Sequence, residues 1–150
     1  MNSMSNRGRA LGVRLLQIAV IYLVVGMLGG LFMAATHQLQ YGPVHAHVNL
    51  LGWATLAIAG LVYQVYPELA EHWLATAHAW LHNVGLASMT IGMALLFSGR
   101  MEALPLAFAG SALAMAGVLL FAINLCTRLR TASAEDQRFA SRSARSSQSF

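Results

Sequence analysis

Six histidines stand in a chain that has only five acidic residues. His37, His45 and His47 cluster between the first and second long apolar stretches. His72, His78 and His82 cluster before and within the start of the third. Imidazole ligates metals and heme iron through either ring nitrogen, and its charge changes near neutral pH. Ionisable side chains in or at the edge of a membrane are costly, so each cluster is a candidate functional site. His45 and His47 are two residues apart, which on a helix turns them about 200° from one another. Such a pair cannot readily grip one metal ion, which argues against a simple zinc site. It can serve two cofactors on opposite faces of the helix, or one cofactor and one neighbouring helix. His78 and His82 are four apart and share one helix face. That is ligand-like spacing, although no glutamate-assisted zinc motif surrounds them. The opposing reading is that these histidines sit at helix ends, hydrogen-bonded to backbone or water.

The elements that carry them are set by where charge is missing. Of 150 residues 57% are hydrophobic and 9% charged, against about 25% charged in an ordinary soluble domain. No Asp, Glu, Lys or Arg occurs from Leu15 to Pro67, from His72 to Gly99, or from Ala103 to Thr127. Roughly 20 apolar residues in a helix cross a bilayer core, so the first stretch allows two crossings and each of the others one. Backbone groups in lipid must bond within their own segment, which makes these spans helices. The expectation is an all-α membrane four-helix bundle with spans near 15–36, 46–66, 75–98 and 103–126. Gln38, Gln40, Gly42 and Pro43 form the first turn, and Pro67, Glu68 and Glu71 end the second span. Ser98, Gly99, Arg100 and Glu102 make a tight third turn. Pro105 sits in the first turn of the last helix, where proline is tolerated.

Orientation follows from arginine, because the chain has no lysine. Arg7, Arg9 and Arg14 precede the first span and five arginines follow the fourth. Only Arg100 occupies an odd-numbered loop, a ratio of eight to one. Cationic flanks stay on the cytoplasmic side, which implies cytoplasmic N- and C-termini in a bacterial inner membrane. The net charge of +4 therefore reports topology and not nucleic-acid binding. The apolar stretch after Arg14 is about twice a signal-peptide core and lacks a clean small-x-small site, so it reads as a retained helix. Residues 1–14 form a cytoplasmic segment, 15–126 the membrane domain, and 127–150 a Ser/Arg-rich tail expected to be disordered. The single cysteine, Cys126, allows no internal disulfide. Gly26 and Gly30, Gly85 and Gly92, and Gly110 and Gly117 have the spacing of close helix contacts, suited to a compact bundle or a homo-oligomer. The eight methionines and most aromatics are assigned to packing and interfacial belts.

The run His45-Ala46-His47-Val48-Asn49-Leu50-Leu51-Gly52-Trp53, continuing to Gly60, Tyr63 and Pro67, resembles the tenth helix of heme–copper oxidase catalytic subunits. The likeness is to cytochrome c oxidase subunit I of the cytochrome-c-containing type and to bacterial nitric oxide reductases. The four spans would then match helices nine to twelve of that subunit. The resemblance is good over about residues 37–67, fair through the third span, and architectural elsewhere. It implies that His45 corresponds to a ligand of the high-spin heme and His47 to an axial ligand of the low-spin heme. The family's hemes lie toward the periplasmic face, where the arginine count places these residues. The adjacent His-His pair of the family's copper site is missing, as is the helix that supplies the opposite axial ligand, so the pattern does not make a complete oxygen-reducing centre.

The resulting expectation is a membrane heme protein, of unspecified heme type, that transfers electrons or senses a diatomic gas. Its second axial ligand would be His37 or a histidine of a second copy, since homo-oligomers are usually two-fold. Depth separates the two clusters: His82 lies two turns into its helix, roughly 15–20 Å from His45 along the membrane normal. As a ligand it would belong to a second site, such as a quinone headgroup pocket or second heme. Otherwise it is a helix-start histidine near the headgroups. Asn49, Asn83 and Asn124 are expected to make interhelical hydrogen bonds, with Asn49 able to support His47. Two other functions compete. One is a cofactor-free structural or assembly subunit of a larger respiratory complex. The other is a small transporter, disfavoured by the lack of intramembrane acids and of broken helices around a midplane site.

Overall fold

The computed structural model describes the backbone of residues 3–147 and the side chains of residues 8–128. Among them every element is helical and no strand occurs. Helix α1 (Ser3–Thr36) ends where His37 takes a left-handed φ of 56°, a conformation that stops a helix and redirects the chain. A 3-10 turn at Leu39–Tyr41 leads at once into α2 (Gly42–His47), with Pro43 in its first turn. The turn is therefore shorter than the sequence implied. Gly42 and Pro43 start the second span instead of breaking the chain, and that span runs Leu39–Val65.

Between α2 and α3 (Leu56–Val65) the second span is π-helical over Val48–Thr55. A π turn bonds five residues back and is wider than an α turn, and such segments recur at functional sites. The Thr55 hydroxyl donates to the Leu50 carbonyl, five residues back, at 2.8 Å. Tyr66 then breaks the helix, and the one-turn α4 (Pro67–Ala70) tucks Leu69 and Ala70 into the core. Helix α5 (Trp73–Phe97) is capped by His72, whose Nδ1 accepts the Leu74 N–H at 3.3 Å. Gly99, at a φ of 92° that only glycine adopts freely, turns the chain through Met101–Ala103 into α6 (Leu104–Ser147). The side chains of the Ser/Arg-rich segment beyond Arg128, expected to be disordered, lie outside the described residues.

Two helical hairpins result, α1 with the second span and α5 with α6. Glycine sets both seams. A Cβ on Gly12 would stand 2.8 Å from the Gly60 carbonyl oxygen, and one on Gly60 would stand 2.9 Å from that of Gly12. In the other hairpin, a Cβ on Gly117 would stand 2.6 Å from the His82 backbone nitrogen, and one on Gly92 2.5 Å from that of Ala107. Van der Waals packing at such close range is what holds helices together in lipid. Leu15, Ala19, Leu56, Ala59, Tyr63 and Ala75 form the core where the hairpins meet. The exterior is apolar, with Ile21, Met27, Leu31, Ile58, Trp80 and Phe108 all exposed. In water such a surface would drive association; in a bilayer it meets its own kind. Four helices, Gly8–Thr36, Leu39–Val65, Trp73–Phe97 and Met101–Arg128, are long and apolar enough to cross a membrane.

Candidate functional site

The HxH pair lies just ahead of the π segment, and its two rings part company. His45 turns toward α1, where its Nδ1 lies 2.9 Å from the Gly26 carbonyl oxygen. A carbonyl only accepts, so Nδ1 carries the hydrogen and Nε2 keeps its lone pair. Asn49 donates to the His45 carbonyl at 2.8 Å, and its 3.4 Å approach to Nδ1 adds no second bond once that nitrogen is itself a donor. The ring fits because Gly30 lacks a side chain: a Cβ there would stand 3.0 Å from His45 Cε1. Beside the ring lies a cavity of about 280 Å³ walled by Val25, Gly29, Phe32, Met33 and Val44, with Ala94 of α5 closing it.

His47 faces away from that cavity. Its Nδ1 lies 2.7 Å from the Pro43 carbonyl oxygen one turn back, so here too Nδ1 is the donor and Nε2 keeps its lone pair. A hollow of about 200 Å³ with Ala46, Leu50 and Leu51 borders it on the outside of the hairpin. The two imidazoles thus present matching free nitrogens in different directions, as their spacing required. Histidines that bind metal through one nitrogen almost always donate the other N–H to a carbonyl or carboxylate. Both rings meet that condition. His37 is brought no closer to the pair: its side chain is exposed and it does not line the His45 cavity.

The second cluster divides in a way the sequence did not indicate. His72 is a helix cap, with its ring 5.8 Å from that of Trp73. His78 and His82 are both fully buried, at 0% exposure. His82 Nε2 donates to the Leu51 carbonyl of the π segment at 3.0 Å, and His78 Nδ1 lies 3.2 Å from the Tyr63 hydroxyl. Their rings stand edge to face, 5.5 Å apart. His78 Nε2 and His82 Nδ1 are buried without a hydrogen-bond partner among the described residues. Leu51 is six residues past His45 and four past His47, or about 9 Å and 6 Å of rise. The backbone group that His82 reaches thus lies closer to His45 along the span than the expected separation of roughly 15–20 Å. His82 lines neither the cavity beside His45 nor the hollow beside His47.

Tyr63 and Asn124 belong to this buried group, and sequence reasoning did not single out Tyr63 as a partner of His78. Tyr63 is fully buried, with its ring edge-on to Phe121 at 5.8 Å. Asn124 donates to the Leu69 carbonyl at 2.9 Å, tying α6 to the α4 turn. The readable signal was the heptad through Gly85 and Gly92: continued backward it reaches His78, with His82 at its companion position.

Fold and site together define a multi-pass helical membrane protein with two half-buried imidazoles near one end of its second span. Compared with protein-family models, with curated proteins and with solved structures, the chain finds no match. Among the described residues no group of three or more His, Cys, Asp or Glu side chains could hold a metal ion. A heme is a different case, because one imidazole on each side of its iron suffices. Each ring has the donor chemistry for one axial position, but His45 and His47 face different ways and cannot both bind the same iron. The His45 cavity, mostly apolar in its lining, lies just under the roughly 300–1,000 Å³ usual for small-molecule sites.

Proposed function

We propose that this chain is a membrane heme-binding protein, with His45 and His47 as iron ligands, that carries electrons or takes up a diatomic gas. One observation carries the reading: each ring has Nδ1 hydrogen-bonded to a backbone carbonyl, at 2.9 Å and 2.7 Å, and Nε2 left with its lone pair. Gly26 and Pro43 fix the tautomer and Gly30 makes room for the ring, so the residues around the pair do the orienting work that ligation demands. The resemblance of residues 37–67 to the tenth helix of heme–copper oxidase subunits supports the same assignment. A bound heme would supply a one-electron couple and, with an axial position open, a site for a small gas. Apolar side chains from α1 and α2 would shield the ring at His45 from water.

His47 faces outward beside exposed Leu50, which suits a ligand completed by a second copy of the chain or by a larger respiratory complex. Arginine bias favours an inner-membrane setting with both termini cytoplasmic, and hence a site on the periplasmic side. The test is the absorbance spectrum, oxidised and reduced, of protein purified from heme-replete cells. A Soret band that weakens in His45→Ala and in His47→Ala, and is lost in the double variant, is the expected result. Colourless wild-type protein would sink the proposal. The modest size of the His45 cavity favours a second reading, a cofactor-free assembly subunit. Colourless protein that co-purifies with a larger complex would establish it.

A further inference from the structure

We propose that the groove between α1 and α5, at the end of the bundle where α4 lies, binds a phosphoethanolamine-headed phospholipid, with phosphate at Arg14 and ammonium at Glu71. Two cavities meet in this groove and share Leu11, Arg14, Ala79 and Trp80 as walls. The outer one, about 440 Å³, is completed by Ala10, Ala70, Glu71 and Thr76. The inner one, about 200 Å³, is completed by Leu15, Ile18 and Asn83, farther along the same helices. A chamber of mixed polarity, carrying both charges, thus opens into a mostly apolar one, the order in which a phospholipid presents headgroup and chain.

The two charges decide the headgroup. Arg14 lies on α1 immediately before the charge-free stretch that begins at Leu15. Glu71 lies in the turn before α5. Both line the outer chamber, yet neither forms an ion pair within 4.0 Å among the described residues. A guanidinium at the edge of an apolar span stands at headgroup level, and basic pockets between membrane helices take lipid phosphates. A purely anionic headgroup would bring more negative charge to Glu71. A choline nitrogen has no N–H to give it. An ethanolamine ammonium donates hydrogen bonds to the carboxylate while its phosphate accepts from Arg14, so both side chains are satisfied at once. Leu15, Ile18 and the face of Trp80 then border the first part of an acyl chain. This site is separate from the His45 cavity and does not depend on heme.

The full chain would be equilibrated in mild detergent with equal amounts of phosphatidylethanolamine, phosphatidylglycerol and phosphatidylcholine, and retained lipid weighed by native mass spectrometry. Wild type should retain phosphatidylethanolamine preferentially. Arg14→Gln should lower that retention about tenfold, the loss of one charge-assisted hydrogen-bond set. Glu71→Gln should remove the preference for phosphatidylethanolamine over phosphatidylglycerol while lipid is still retained. Equal retention of all three lipids, a wild-type preference for phosphatidylglycerol, or unchanged selectivity in both variants would each overturn the proposal. Helical circular dichroism confirms that the variants fold. The two substitutions lie on different elements, so failure of one to fold leaves the other decisive.

Discussion

Gly26 of α1 faces Asn49 of the π segment so closely that a Cβ at Gly26 would stand 2.5 Å from both terminal atoms of the Asn49 amide. The same glycine offers its carbonyl to His45, and Asn49 bonds the His45 carbonyl. One residue without a side chain therefore sets two contacts of the HxH pair.

Gly26→Ala should force the Asn49 amide aside and cost about 0.5–1.5 kcal/mol, the usual worth of the one hydrogen bond Asn49 would give up. Gly29→Ala is the control, because nothing lies within 4 Å of a Cβ there, and it should be neutral or stabilise by up to about 1 kcal/mol, glycine being disfavoured inside a helix. Unfolding midpoints in mixed detergent would compare the two. Identical midpoints would show that the α1–π contact is looser than described.

Tyr63 and His78 should be energetically coupled. Their 3.2 Å contact is fully buried, and polar contacts between membrane helices average about 0.6 kcal/mol, with about 1.7 as an upper value. A double-mutant cycle with Tyr63→Phe and His78→Leu should return a coupling in that range, the double variant being more stable than the two single losses predict. Strict additivity would mean that the hydroxyl and the ring do not interact.

Deleting Leu50, an exposed residue of the π segment, should convert the wide turn to ordinary α-helix. The wide turn accommodates about one extra residue, so removing it leaves the outer end of the span in nearly the same rotation relative to α3, with His45 still facing Gly30. A short bifunctional thiol reagent would report this in a Cys126→Ser background bearing Gly30→Cys and His45→Cys. Cross-linking should be efficient in the full-length chain and retained in the deletion variant. Loss of cross-linking on deletion would contradict the assignment of one extra residue to the π segment.

The four crossings were legible because charge is absent over long stretches, and lipid leaves a chain little choice of structure. The divergence of His45 and His47 was equally legible, since it needs only helical geometry. The π segment was not: no residue between Val48 and Thr55 announces a five-back bond, and the widened turn comes from backbone register. The burial of His78 and His82 was missed for a different reason. Their depth was reckoned from a helix starting in the headgroups, whereas the hairpins meet across Ala75, Tyr63 and Leu69 and enclose both rings. Pro43 misled in a simpler way, being read as part of the turn where it sits in the first turn of α2.

The oxygen of Leu51 is claimed from outside its own helix, by the imidazole of His82. A rod that widens over eight residues has a slack joint there, and this joint is pinned from the side by a neighbour. Whatever releases that pin frees the tip of the rod, with both of its imidazoles, to swivel as one piece while the root below stays clamped between glycines.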